Sequence, residues 1–503
     1  MVRRWIALVG LLLLAAAVHA NALHNPFVYD DHRMVVDNPS LRDPSNARFV
    51  LAFQPFRPLV NASYALDYAL SGLEPFGYHR TSLVLHCLNT ALLFLLIAGL
   101  GAAPRGSRAG PGLEVAAFAA ALFAVHPMAT ETVGYVAGRA ELLCASFALA
   151  SLLCLERALA RAPGAGRRAW VAAGLAGFAL ALACKEVAAM LPAAVLLYDL
   201  IYLPEDPGRR RRLQRLYAPV FGALAAGAWL RLYAYRSLEA PERDLGLAAN
   251  LLTQSGVVWR YLRLFLLPLG QSVVHQVPEV TSLEGLPAAW GALAGAGLAG
   301  AAWLAWRVRR REPAVALGAL WFLAMLLPSS LIPLPELAAE HRTYLASAGL
   351  FLALAALGAA GLRAAALPPA RARAAAWAGA LALVALLGGL GAARNRVWGD
   401  PVRLWSDALQ KAPQVFAPHY QLAEALRERG ECAAALPYYE RAVALVPGYL
   451  DARNNLGVCL AQTGRLDDAR RAFLAALARD PAYPRARNNL RTLAELEAAR
   501  SGP

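Results

Sequence analysis

The chain has 503 residues, of which 58% are hydrophobic and only 17% are charged. That composition excludes an ordinary soluble protein and points to an integral membrane protein. The net charge of +15 is not a nucleic-acid signature, because the arginines sit in short clusters between apolar runs rather than along one face interleaved with stacking aromatics.

The clusters are Arg3 and Arg4, Arg105 and Arg108, Arg157 to Arg168, Arg209 to Arg215, Arg307 to Arg311, and Arg363 to Arg373. Pairs of apolar segments separate them, as the positive-inside bias requires if every cluster is cytoplasmic. A spanning helix needs about 20 apolar residues, somewhat fewer when anchored. Candidates lie near 5–20, 82–101, 113–126, 140–159, 169–184, 187–203, 216–235, 285–306, 314–332, 345–362 and 374–393, about 11 in all. An odd number with a cytoplasmic start puts the C-terminal tail outside.

Taken in order, the first segment has two readings. MVRR, an apolar run and AVHANA fit a first spanning helix, the reading preferred because the acids that follow need a helix to hold them at the membrane surface, with a secretory signal peptide and small-residue cleavage site as the competitor. Either leaves the later topology unchanged. Asp30 and Asp31 follow in FVYDDHRMVVDNP; alone they read as an exposed loop or a helix cap. Their company argues for more: the next stretch, PFRPLVNASYALDYALSGLEPFGYHRTSLVLHCLN, interleaves Arg57, Asp67, His79, Arg80 and His86 with aromatics.

A second cluster, AVHPMATETVGYVAGRAELL, carries His126, Glu131, Arg139 and Glu141 between two apolar runs. Ionisable groups at membrane depth are costly and mark functional sites by default, with a salt bridge between helix ends as the alternative. A third, ALACKEVAAMLP, holds Lys185 and Glu186, and a fourth, ELAAEHRTYLASAGL, holds Glu336, Glu340, His341, Arg342 and Tyr344. The bland reading of Lys185 is interfacial anchoring. The outer stretches 21–81, 127–139 with 184–187, and 236–284 with 333–344 therefore collect the polar residues, and chemistry is expected on the outer face.

Carboxylates and cations on one side make a kit for glycosyl transfer. An acid can serve as base for an acceptor hydroxyl, or hold a metal that does so, while cations stabilise a departing phosphate. There is no nucleotide-binding glycine loop and no zinc motif, so the expected donor is lipid-linked. A divalent metal has no motif here, and the cofactor stays open. Cys87, Cys144, Cys154 and Cys184 belong to apolar segments, where a thiol packs as a small hydrophobe. Cys432 and Cys459 could pair, and all six cysteines are read as structural.

The tail differs in kind. Leu422, Leu456 and Leu490 recur every 34 residues, as do Gly430 and Gly464, and Pro413, Pro447 and Pro481. Trp405, Tyr439 and Phe473 share one large position, Ala408, Ala442 and Ala476 one small one. This is the tetratricopeptide period, in which small residues let paired helices approach and an aromatic fills the gap to the next unit. Two full repeats, 415–448 and 449–482, stand after a half-unit and before a capping helix.

The wording FVYDD, FRPLVNASYALDYALSGLEPFGYHRTSLVLHCLN, FAVHPMATETVGYVAGRAELL, LALACKEVAAMLP and EHRTYLASAGLFL, followed by the repeats, resembles the transmembrane and tetratricopeptide-repeat-containing O-mannosyltransferases. These are polytopic glycosyltransferases of the C fold. The resemblance implies an all-α membrane domain over 1–399 and an extracytoplasmic repeat domain over 400–503. It also implies transfer of mannose from a polyprenyl-phosphate donor to Ser/Thr hydroxyls of extracytoplasmic proteins, the repeat domain helping to hold the acceptor. The family's catalytic carboxylate in the first outer loop maps onto Asp30 and Asp31. Arg139, Lys185, His341 and Arg342 are expected at the donor phosphate, with Arg57, His79, His126, Glu131 and Glu340 in acceptor or supporting places. The arginine- and alanine-rich composition looks bacterial, which implies an inner membrane with the repeats in the periplasm. Two alternatives stand beside this: the same fold acting on a glycolipid or polysaccharide precursor, and a non-catalytic membrane-anchored repeat scaffold.

Overall fold

The computed structural model describes residues 2–100, 109–159, 161, 164–203, 205, 208–238, 246–365 and 368–501. Among them there is no strand. The expected loop near position 105 lies outside the described residues. Contacts divide the chain into two units, one of 1–271 with 277–396 and one of 272–276 with 397–503.

The first unit is a bundle of apolar helices. Each of the eleven expected segments is helical, but among the described residues seven helices are long and apolar enough to cross a membrane, or eight if the bent pair Leu113–Val125 and Pro127–Gly134 is one span. Leu191–Tyr202, for instance, has 12 residues, well short of the roughly 20 that hydrocarbon thickness demands. The stretches read as outer loops carry helices of their own: Ala47–Phe53 and Pro58–Ser71 in 21–81, and the longer Leu247–Leu266 in 236–284. In Leu247–Leu266, Arg260 and Arg263 hide the pattern, yet Val257, Val258, Tyr261, Leu264 and Phe265 are buried. It packs against Leu286–Val308.

Small residues set the tightest approach. A Cβ on Gly318 would meet the Gly349 carbonyl oxygen, and one on Gly349 would meet that of Gly318, so Pro313–Leu331 and Tyr344–Ala364 touch backbone to backbone. Arg139–Leu159 starts with Glu141 in its first turn and ends with Arg157 in its last. Tyr344–Ala364 likewise follows His341 and Arg342 and closes on Arg363. In both, the candidate residues occupy one end of the helix and an arginine the other, the polarity expected of a positive-inside protein.

The second unit is a stack of helix pairs: Phe416–Glu428 with Cys432–Leu445, and Leu450–Gln462 with Leu466–Arg479, preceded by Pro401–Lys411 and followed by Pro484–Ser501. The repeated residues explain themselves. Gly430 and Gly464 turn each pair with positive φ of 78° and 82°, which only glycine adopts without strain. Trp405, Tyr439 and Phe473 are buried beside fully buried Ala408, Ala442 and Ala476. A disulfide joins Cys432 to Cys459 across neighbouring repeats.

Candidate active site

A cleft of about 190 Å³, partly open to solvent, lies among the helix ends of the first unit. Asp30, Arg57, Glu141, Lys185, Glu186, Glu336, His341 and Arg342 line it with an apolar rim of Val187, Met325, Pro328, Leu334 and Leu345. Residues from six separate stretches of sequence thus meet in one place. Pro328 inside Pro313–Leu331 cannot donate a backbone hydrogen bond, which loosens that helix where the cleft opens.

The adjacent aspartates part company. Asp30 is exposed and its backbone N–H donates to the Tyr135 hydroxyl at 3.1 Å. Before it, Tyr29 has φ of 54°, a left-handed conformation rare for a bulky residue and common at sites that must aim a side chain. The Tyr29 hydroxyl donates to Glu336 at 2.9 Å, so the strained turn is tied down at both ends. Asp31 is fully buried. Its two oxygens accept the Val28 N–H at 3.1 Å and the Ala137 N–H at 2.7 Å, stitching the loop to its neighbour. Burial pushes this carboxyl up to about 7, against the backbone donors that favour the anion. Of the pair, Asp31 is tied into the protein and Asp30 is the one that lines the cleft.

Every basic group in the cleft faces an acid. Arg57 stands 3.4 Å from Glu186, with both side chains substantially exposed. Arg342 donates to the Glu336 carbonyl at 2.5 Å and lies 3.9 Å from its carboxylate. Burial pushes Glu336 above the usual carboxylate range, with Arg342 opposing. Lys185 pairs with Glu141, both nearly buried. His341 bonds Glu131 through Nδ1 at 2.5 Å and faces Glu141 through Nε2 at 3.5 Å. Glu141 therefore joins Lys185 to His341.

Arg139 does not reach the cleft. Its guanidinium is buried, paired with Asp67, donates to the Tyr78 carbonyl at 2.6 Å, and lies 4.9 Å from the Tyr64 ring centre and 5.6 Å from that of Tyr78. With its charge answered inside the protein, Arg139 stands apart from the cleft, away from the other residues expected at the donor phosphate. His126 is structural: its Nε2 donates to the Phe265 carbonyl at 2.9 Å and Nδ1 accepts the Met128 N–H at 3.2 Å. Glu340 accepts from Gln271 at 2.8 Å in the interior. His79 is buried on Pro75–Gly99, away from the cleft lining. Glu131 stands behind His341 rather than in the wall.

Tyr29 and Tyr135 were missed, since neither differs in sequence from an ordinary interfacial tyrosine. Glu141, Glu186 and Glu336 were visible as members of charged clusters, but their pairing was not. Among the described residues no group of three or more His, Cys, Asp or Glu is close enough to hold a metal ion.

The model of the dolichyl-phosphate-mannose-protein mannosyltransferase family matches residues 107–230, the stretch that supplies Glu131, Glu141, Lys185 and Glu186. A tetratricopeptide-repeat model matches 420–496. Protein O-mannosyl-transferase Tmtc2 of Drosophila melanogaster is 31% identical over 289 residues, 54% of this chain and 29% of the fly protein. Human Protein O-mannosyl-transferase TMTC4 is 31% identical over 193 residues, 34% of this chain and 26% of its own. Over these stretches the chain is similar to protein O-mannosyl-transferases of fly and human. The matched stretch spans less than a third of either relative. The crystal structure of ArnT from Cupriavidus metallidurans in the apo state aligns over 93% of this chain and 79% of its own at 19% identity and a TM-score of 0.42, a likeness too loose to carry an argument.

Proposed function

We propose that the chain is a membrane glycosyltransferase that moves mannose from a polyprenyl-phosphate donor to Ser/Thr hydroxyls of proteins. The observation that carries this is the facing of an exposed carboxylate, Asp30, and the basic groups Arg57, Lys185, His341 and Arg342 across one cleft with an apolar rim. Asp30 takes the proton of the acceptor hydroxyl as its oxygen bonds the anomeric carbon. The bond from that carbon to the phosphate oxygen breaks, and the basic side chains receive the charge left on the lipid phosphate. Arginine forks suit phosphate oxygens, which favours Arg57 and Arg342 for direct contact.

The site faces the extracytoplasmic side and the repeats lie there too, in the periplasm if the host is bacterial. The arginine polarity of the helices supports this, and so does the Cys432–Cys459 disulfide, a bond that persists in oxidising compartments and is rare in a reducing cytoplasm. A groove of stacked helix pairs suits an extended peptide, so the repeat domain is assigned to the acceptor.

The test is sugar transfer by the purified full chain from a polyprenyl-phosphate mannose to a Ser/Thr peptide. Arg342→Lys, which keeps charge and loses the fork, should raise donor KM with little change in folded yield. Transfer to a glycolipid in place of the peptide would favour the precursor reading. No transfer to either, with Asp30 replaceable in cells without consequence, would favour a scaffold.

A further inference from the structure

The cleft is unusual for a phosphate site in that each basic group already has a carboxylate of its own. Arg57 has Glu186, Arg342 has Glu336, His341 has Glu131, and Lys185 has Glu141. Glu141 faces two basic groups, Lys185 and His341, and it is nearly buried, at 5% side-chain exposure. An arrangement meant only to grip an anion would leave its cations uncompensated.

The charge change during sugar transfer gives a reason. A lipid phosphate carrying a sugar is a phosphodiester with one negative charge. The lipid phosphate left behind is a monoester, which carries about 1.5 to 2 negative charges near neutral pH. A cluster of bare cations would therefore hold product more tightly than substrate, and release would limit turnover.

Resting on the donor reading above, we propose that Glu141 is a positioning residue that acts as an exchangeable counter-ion: it competes with the lipid phosphate for Lys185 and His341 and so lets the product leave. No covalent step is involved; one anion replaces another at Lys185. Glu141 sits in the first turn of Arg139–Leu159, while Lys185 and His341 come from two other segments, so the same carboxylate fixes where both basic groups stand.

The test uses farnesyl phosphate, a short lipid phosphate monoester, with purified full-length wild type, Glu141→Gln, Glu141→Asp, Lys185→Met and the Glu141→Gln/Lys185→Met pair. Removing one negative charge a few ångströms from the phosphate should tighten farnesyl phosphate on the order of tenfold or more, the scale for such a pair at an effective dielectric of about 20. In Glu141→Gln, kcat and donor KM should fall together and added farnesyl phosphate should inhibit more strongly. Glu141→Asp, which keeps the charge, should restore wild-type behaviour; Lys185→Met should bind weakly, and the double variant should bind more tightly than Lys185→Met because His341 is released, yet more weakly than Glu141→Gln. The double variant removes both buried charges, so it also separates loss of binding from loss of folding. Unchanged or weaker binding by Glu141→Gln, with Lys185→Met still weakened, overturns the counter-ion role and leaves the donor site standing. If wild type does not bind farnesyl phosphate, the donor reading falls and the counter-ion falls with it.

Discussion

Asp30→Asn and Asp31→Asn are the same chemical change one residue apart, and the structure assigns them opposite consequences. Asp30 is exposed, and what holds it is its backbone N–H on the Tyr135 hydroxyl, which asparagine keeps. Folding should be untouched, while transfer falls about 10²-fold or more, the usual contribution of a general base. Asp31 accepts two backbone N–H groups with its two oxygens. An asparagine has one carbonyl oxygen, so its amide NH₂ is set against one of those donors in a fully buried position. Leaving one buried donor unsatisfied costs about 1–3 kcal/mol. The assay pairs thermal unfolding in detergent with turnover on a polyprenyl-phosphate mannose and a Ser/Thr peptide. The expected result is lost turnover at constant melting temperature for Asp30→Asn, and a lowered melting temperature for Asp31→Asn. Near-normal turnover by Asp30→Asn, or a stable Asp31→Asn protein without activity, would refute the division of labour.

Arg139→Ala leaves buried Asp67 unpaired, a class of change worth about 3–5 kcal/mol, so folded yield should collapse, whereas Arg342→Ala should fold and bind farnesyl phosphate more weakly; gel filtration and titration separate the two. The Asp31 carboxyl at about 7 is raised above its unfolded value, so the folded state holds the extra proton: its contribution to stability is complete below about 4 and is lost as pH rises through 7. Wild type should therefore gain more melting temperature between pH 8 and pH 5 than Asp31→Asn does. Thiol counting on unfolded, unreduced protein should find four reactive cysteines, and Cys459→Ser should expose a fifth while destabilising the repeats by about 3 kcal/mol. Finally, Glu440→Cys should react with an impermeant maleimide on intact cells and Arg210→Cys should not; the reverse pattern would overturn the outer-face mechanism.

What the sequence by itself determined was the material: a membrane bundle with arginines at one end of its helices, and a repeat tail whose aromatic, alanine and glycine positions recur every 34 residues. Those properties are periodic or compositional, so one strand of text suffices to read them. The Leu247–Leu266 helix escaped because Arg260 and Arg263 interrupt an apolar face that only packing against a neighbour defines. The four charged clusters were legible as candidates, but their roles were not. Asp30 and Asp31 differ by one residue, and a half-turn of backbone at Tyr29 sends one carboxylate to the cleft and the other to buried amides. Arg139 and Arg342 are alike in composition and neighbourhood, yet Asp67, 72 residues away, neutralises the first in the interior. Partners like these are distant in sequence, and charge is satisfied in space, so only the tertiary structure decides which groups remain to meet a substrate.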